Sequence, residues 1–264
     1  MLDEAPTILA LDFDGVVCDG LIEYFQTAWR TYCQIWSPAA ETPPEGLAEQ
    51  FYRLRPVIET GWEMPILVRS LLQNIPEADL FADWARIAQQ QIQALGLTST
   101  EIAAKLDGIR DQWIAADVEH WLDQHRFYPG MIERLRQLQN STTALFIVTT
   151  KEQRFVRQLL QQQQIELPES RIFGKEVKQP KSQTLRFLNQ KFAAKAGEPI
   201  AIWFVEDRLK TLQSVALQPD LNTVKLYLAD WGYNTETDRN LAHQDHQIHL
   251  LSLKGFSQNF GAWG

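Results

Sequence analysis

The chain reads as an α/β protein, a parallel sheet flanked by helices and interrupted after its first strand by an all-helical segment. Three observations predict this. An apolar run over residues 7–11 stops at Asp12-Phe13-Asp14-Gly15. From about residue 128 onward, short apolar runs alternate with helical patterns, and continuous runs such as residues 200–205 suit strands buried on both faces, as a parallel sheet requires. Between Gly20 and Arg126 the apolar residues recur at helical spacing instead.

Residues 7–12 form the expected first strand. Residues 23–36 carry Phe25, Ala28, Trp29, Tyr32, Cys33 and Trp36 on one helical face, and Ser37-Pro38 ends that helix. A loop rich in proline, alanine and acidic residues follows, and then helical patterns near 46–54, 63–73, 77–95, 99–107 and 109–124. Pro129-Gly130 marks the return to the sheet, with a helix to about Asn140, a strand at 143–149 and a helix at 154–164. A short strand around Phe173 and a helix at 182–194 precede the apolar run that ends in Glu206-Asp207. Strands at 223–228 and 247–251 and a last helix at 252–260 complete the pattern. The predicted division is residues 1–18 and 128–264 as a sheet domain, with 19–127 as a helical domain.

Composition excludes some classes of function. With 264 residues the chain can bury a sizeable core. Thirty-three acidic against 25 basic residues give a net charge of -8, which opposes non-specific binding to nucleic acid or to anionic membranes. No stretch reaches the roughly 18 consecutive apolar residues of a membrane helix, and the first residues do not read as a signal peptide, so a cytoplasmic address is expected. Cys18 and Cys33 form no metal-type spacing with any histidine and are expected to be reduced. His243, His246 and His249 recur every third residue, but near an expected strand that spacing alternates faces.

Chemistry concentrates at the strand ends. Asp12 and Asp14, two residues apart in an extended chain, point the same way. A close carboxylate pair repels itself unless a cation or a proton lies between its members, so the pair calls for a metal or for acid/base work; an Asx-rich turn is the plain alternative. Asp12, Thr149 and Glu206-Asp207 end three expected parallel strands and should converge on one sheet edge, with Lys178 and Lys181 nearby. Acids, a hydroxyl and an ammonium at one edge suit a phosphoryl group bridged to a divalent cation.

Four segments in this order resemble the haloacid dehalogenase superfamily of aspartyl-phosphate hydrolases. They are Asp12-x-Asp14-Gly15 with Asp19, Ile147-Val148-Thr149-Thr150-Lys151, the lysine region, and Val205-Glu206-Asp207. The inserted helices look like that superfamily's C1-type cap. Tyr128-Pro129-Gly130-Met131 and Ala229-Asp230-Trp231-Gly232-Tyr233-Asn234 are similar to its phosphoglycolate-phosphatase-like branch.

The resemblance implies a Rossmann-like core and an Mg2+-dependent phosphatase acting on a small phosphorylated metabolite, as a monomer or homodimer, with no nucleic-acid or membrane partner. It implies Asp12 as nucleophile, Asp14 as general acid and base, Thr149 as a donor to a phosphoryl oxygen and Lys181 as the charge-neutralising lysine. Asp12, the Asp14 backbone carbonyl and Asp207 would hold Mg2+, with help from Glu206. Thr150, Lys178 and Arg55 are the candidate substrate contacts, Arg55 within a loop region that also holds Arg53, Glu59, Trp62 and Glu63.

Two departures from the family pattern stand out. Glu206 replaces a common glycine, and Thr211 stands where a later acid is usual, which casts Glu206 as an acid that orients a metal-bound water. The usual Lys-Pro is interrupted in Lys178-Gln179-Pro180-Lys181. Lys181 is favoured because it opens a helix, where a cation opposes the dipole unless an anion is close. The rival readings are a phosphomutase of the same superfamily and a non-enzymatic binding protein that keeps the fold. A dehalogenase proper has no need of Asp14.

Overall fold

Strand β1, Ile8–Leu11, has all four residues buried. A strand with no polar face needs neighbours on both edges and cover on both faces. In a computed structural model, which describes residues 5–40, 42–196 and 200–263, β1 pairs in parallel with β4, Ala144–Val148, on one side and β6, Ile202–Glu206, on the other. β5, Ile172–Phe173, lies outside β4, while β7, Lys225–Ala229, and β8, Ile248–Leu251, extend the sheet beyond β6. Among the described residues this gives six parallel strands in the order β5-β4-β1-β6-β7-β8.

Alternation along the strands builds two faces. Ile8, Ala10, Phe146, Val148, Ile202, Phe204, Leu226 and Leu228 share one core with Leu185 and Leu188 of α9, Lys181–Ala196, and Leu212 and Val215 of α10, Leu209–Ala216. The opposite registers carry Trp203 and Tyr227, whose rings meet each other at 5.2 Å and Trp263 at 5.5 and 5.4 Å. α7, Met131–Gln139, packs on β4, and α8, Gln153–Gln162, on β5.

The expected strands are all present, but four features differ from the sequence reading. α10 and α11, Glu236–Gln244, fall where no helix was expected, although Thr235 and Asp238 form a capping box at the start of α11. The last expected helix shrinks to α12, Leu253–Phe256, because Phe256, Phe260 and Trp263 turn in to pack on one another. The two helices expected around Gly108 are one, α5, Ser99–Ala116, held by buried Ile102, Leu106 and Trp113. The break comes instead at Asp117, whose extended backbone ends α5 and whose side chain caps α6, Val118–Leu122.

The fourth difference is a two-stranded ribbon. β2, Cys18–Asp19, pairs antiparallel with β3, Arg126–Phe127. It draws Asp19, Arg126 and Phe127 into the sheet unit, so the chain divides into Met1–Asp19 with Arg126–Gly264, and Gly20–His125.

The second unit is helical throughout its described elements: α1, Leu21–Trp36, α2, Leu47–Leu54, α3, Glu63–Leu72, α4, Glu77–Leu95, then α5 and α6. A buried carboxylate organises it. Glu23 of α1 accepts from Thr27 Oγ1 at 2.7 Å, from the Arg110 guanidinium of α5 at 2.7 Å and from Trp121 Nε1 of α6 at 3.2 Å. A buried charge is tolerated when it is paired and hydrogen-bonded in this way. Trp29, Trp84, Trp113 and Trp121 are core residues of this unit. Cys18 and Cys33 are both free thiols.

Candidate active site

The sheet register sets the site. Leu11 lies opposite both Ile147 and Val205, so Asp12 comes level with Glu206, and Thr149 stands just past the end of β4 on the same edge. Asp12 Oδ1 accepts from the Phe13 amide at 2.7 Å and lies 2.9 Å from Lys181 Nζ. The same ammonium donates to Glu206 Oε2 at 2.6 Å. Glu206 is fully buried, and its Oε1 accepts from the amides of Asp207 and Arg208, each at 3.1 Å. Asp207 Oδ2 accepts from the Tyr233 amide at 2.8 Å. One carboxylate oxygen from each of Asp12, Glu206 and Asp207 lies within 4.8 Å of the others.

Three buried acids against one lysine leave an excess of negative charge. Burial, with the Glu206 charge added, pushes the Asp12 carboxyl up to about 7 against the pull of Lys181. Burial likewise raises Glu206 and Asp207. For Lys181, burial works downward, but Asp12 and Glu206 outweigh it and hold the ammonium above its ordinary range. Oxygen donors only, tightly grouped and under-neutralised, fit a hard divalent cation.

Asp14 faces a second lysine. Lys151 Nζ lies 3.2 Å from Asp14 Oδ1 and 3.5 Å from Oδ2, and the lysine side chain is nearly buried. The turn between the two aspartates and β2 requires glycine: Gly15 has φ +87°, and a Cβ there would lie 2.2 Å from Asp207 Oδ2. Thr149 is buried; its amide donates to the Phe173 carbonyl at 2.9 Å and its Oγ1 accepts from the Lys151 amide at 3.1 Å.

The structure brings Asp12, Asp14, Thr149, Lys181, Glu206 and Asp207 to one edge. It does not bring Lys178 there in the same way. Lys178 is exposed on a left-handed backbone, φ 51°, and Lys181 is the lysine that meets the nucleophile candidate. Thr150 is exposed. Arg55 belongs to the helical unit, where its guanidinium donates to the Ile58 carbonyl at 3.0 Å and lies over the Tyr24 ring. Sequence reasoning gave no role to Lys151, although it stands two residues after Thr149. Glu206, expected to help hold the metal or to orient its water, is in addition the direct partner of Lys181, a contact that sequence reasoning did not foresee. His243 lies in α11, and the ring of His249 in β8 is tilted against that of Tyr227 at 5.6 Å.

Residues 80–216, just over half of the chain, match the sequence model of the haloacid dehalogenase-like hydrolase family. This chain belongs to that family. The matched span holds Thr149, Lys151, Lys181, Glu206 and Asp207 of the hydrolase; Asp12 and Asp14 precede it. The fold agrees with solved structures at low sequence identity. A predicted phosphatase from Clostridium acetobutylicum is 13% identical, with a TM-score of 0.55 over 96% of this chain and 97% of that one. A predicted phosphoglycolate phosphatase from Haemophilus somnus is 15% identical, with a TM-score of 0.51 over 87% and 88% of the two chains. No curated protein matches the hydrolase in sequence.

Proposed function

We propose that the hydrolase is an Mg2+-dependent phosphatase that cleaves a small phosphomonoester through an aspartyl-phosphate. The observation that carries this reading is the placement of Asp12 in a buried acid cluster and 2.9 Å from Lys181, with Asp14 two residues on. Asp12 attacks phosphorus, forming an oxygen–phosphorus bond as the bond to the leaving alcohol breaks. Asp14 gives the departing oxygen its proton. In the second half-reaction Asp14 takes a proton from water, the water oxygen attacks the aspartyl-phosphate, and inorganic phosphate leaves with Asp12 restored. The Thr149 hydroxyl and the Lys181 ammonium hold the phosphoryl oxygens, where charge must be offset. Glu206 keeps Lys181 in place.

Asp12, the Asp14 carbonyl and Asp207 would hold Mg2+, which when bound neutralises phosphoryl charge. The helical unit would serve as a cap that admits small substrates and excludes water. The Haemophilus neighbour supports a phosphoglycolate-like substrate, a small phosphomonoester with its own carboxylate.

A panel of phosphorylated metabolites tested against the purified protein, with and without Mg2+, decides the reading. Hydrolysis of at least one small phosphomonoester that depends on the cation is expected. Asp207→Asn should raise the Mg2+ requirement strongly, and Glu206→Gln less. Metal-independent turnover, or none on any member of the panel, contradicts the proposal.

A further inference from the structure

The loop after β7, Asp230-Trp231-Gly232-Tyr233-Asn234, plays no part in the chemistry above, yet it touches both the acid cluster and the ribbon. On the cluster side, the Tyr233 amide donates to Asp207 Oδ2 at 2.8 Å, and Asn234 Nδ2 donates to the Asp207 carbonyl at 3.1 Å. The contact is close, since a Cβ on Gly232 would lie 2.3 Å from Asp207 Cβ and 2.6 Å from the Gly15 carbonyl oxygen. On the ribbon side, the Tyr233 hydroxyl donates to Asp19 Oδ1 at 2.8 Å, and Trp231 Nε1 donates to the Val16 carbonyl at 3.0 Å. Asp19 ends β2, pairs with Arg126 of β3, and is the last residue before the chain leaves the sheet unit. Tyr233 itself is 5% exposed, so its ring is held along its whole length.

We propose that Tyr233 is a positioning residue that ties the Asp207 carboxylate to the β2-β3 ribbon, so that Mg2+ in the acid cluster stiffens the point where the chain leaves the sheet unit. The inference rests on the metal reading above. An outer partner that fixes one oxygen of a ligating carboxylate orients the other. The same bond works in reverse, because a carboxylate fixed by a cation holds the Tyr233 amide. The aromatic ring, with only two side-chain torsions, carries that constraint to its hydroxyl and so to Asp19.

Hydrogen–deuterium exchange over residues 15–19 and 126–128, with and without Mg2+, tests this, with calorimetric Mg2+ binding measured in parallel. In the wild type, Mg2+ should slow exchange in both segments. Tyr233→Phe keeps the ring and the main-chain bond to Asp207. In it the Mg2+-dependent slowing should shrink by about tenfold, the factor for one hydrogen bond to a charged group, while Mg2+ still binds. Asp19→Ala should reproduce that loss from the other end and carries the test alone if Tyr233→Phe fails to fold. Asp19→Asn keeps an acceptor without the charge and should fall between the wild type and Asp19→Ala. A merely structural bond would instead raise exchange equally with and without the cation, and that outcome overturns the proposal, as does slowing that persists undiminished in Tyr233→Phe. Binding without slowing in the wild type overturns the coupling alone. Absence of Mg2+ binding overturns the metal reading and the coupling with it.

Discussion

Asp12 and Asp14 differ in environment more than their spacing announces. Asp12 is buried against Lys181 and Glu206, whereas Asp14 is half-buried beside Lys151. Asp12→Asn should abolish turnover and any covalent phosphate. Asp14→Asn should slow both leaving-group departure and hydrolysis by roughly a hundredfold or more, the usual loss for a positioned acid/base. Steady-state assays and intact-mass detection of phosphoenzyme check both. The pH response also has a definite sign. Without metal, the folded Asp12 carboxyl titrates near 7 and the unfolded one near 3.8, so between those values the folded chain binds more protons. This group's contribution to stability is present below about pH 4 and is lost as pH rises toward 7. Melting temperatures of the metal-free wild type should therefore fall across that window relative to Asp12→Asn, and Mg2+ should restore them at the upper end, since it binds only the folded state. Parallel melting curves for the two proteins would contradict the assignment. At this scale the four motif segments were legible because acids, a hydroxyl and a lysine follow apolar runs. Lys151 was not, because its significance lies in a contact with Asp14 across 137 residues of sequence.

Among the elements, the turn Gly15–Cys18 constrains the site most. Gly15 closes it with an amide donating to the Cys18 carbonyl at 2.8 Å, and its open α-carbon leaves room for the Asp207 carboxylate. Gly15→Ala should cost at least about 1–2 kcal/mol from backbone strain alone, and more once Asp207 is displaced. Chemical denaturation should show the stability loss, and calorimetry a weakened affinity for Mg2+. An alanine variant with wild-type values on both measures would exclude this role. The strands were readable from apolar runs because a parallel sheet buries both faces. The ribbon was not, since two-residue strands carry no periodicity. α11 was missed although Thr235 and Asp238 spell out its cap, because only Ala242 is buried along it and an apolar stripe is absent. The merged α5 shows the opposite error, a single Gly108 weighed too heavily against the buried Trp113 beyond it.

For the whole molecule, the sheet unit is assembled from two stretches of chain separated by the helical unit. Six of the nine tryptophans, Trp29, Trp36, Trp62, Trp84, Trp113 and Trp121, belong to that helical unit, which makes emission a reporter of its environment. Saturating Mg2+ with a phosphate mimic should shift tryptophan emission and slow proteolysis near residues 19–20 and 125–126. Unchanged spectra and cleavage would count against a cap that responds to ligand. Two segments were legible in outline from the switch between helical and strand periodicity. Their exact limits were not, because residues 18–19 and 126–127 form strands of only two residues, too short to carry a period. The strand order has a further consequence for how the molecule is born. β1 lies in the middle of the sheet, between β4 and β6. Emerging from a ribosome at about 5–20 residues per second, it waits roughly 10–40 s for β6 to appear. During that interval a wholly apolar strand has at most β4 on one edge and lacks its other neighbour, while the helical unit is already complete and free to fold. Nascent chains arrested before β6 should therefore be the ones that chaperones hold.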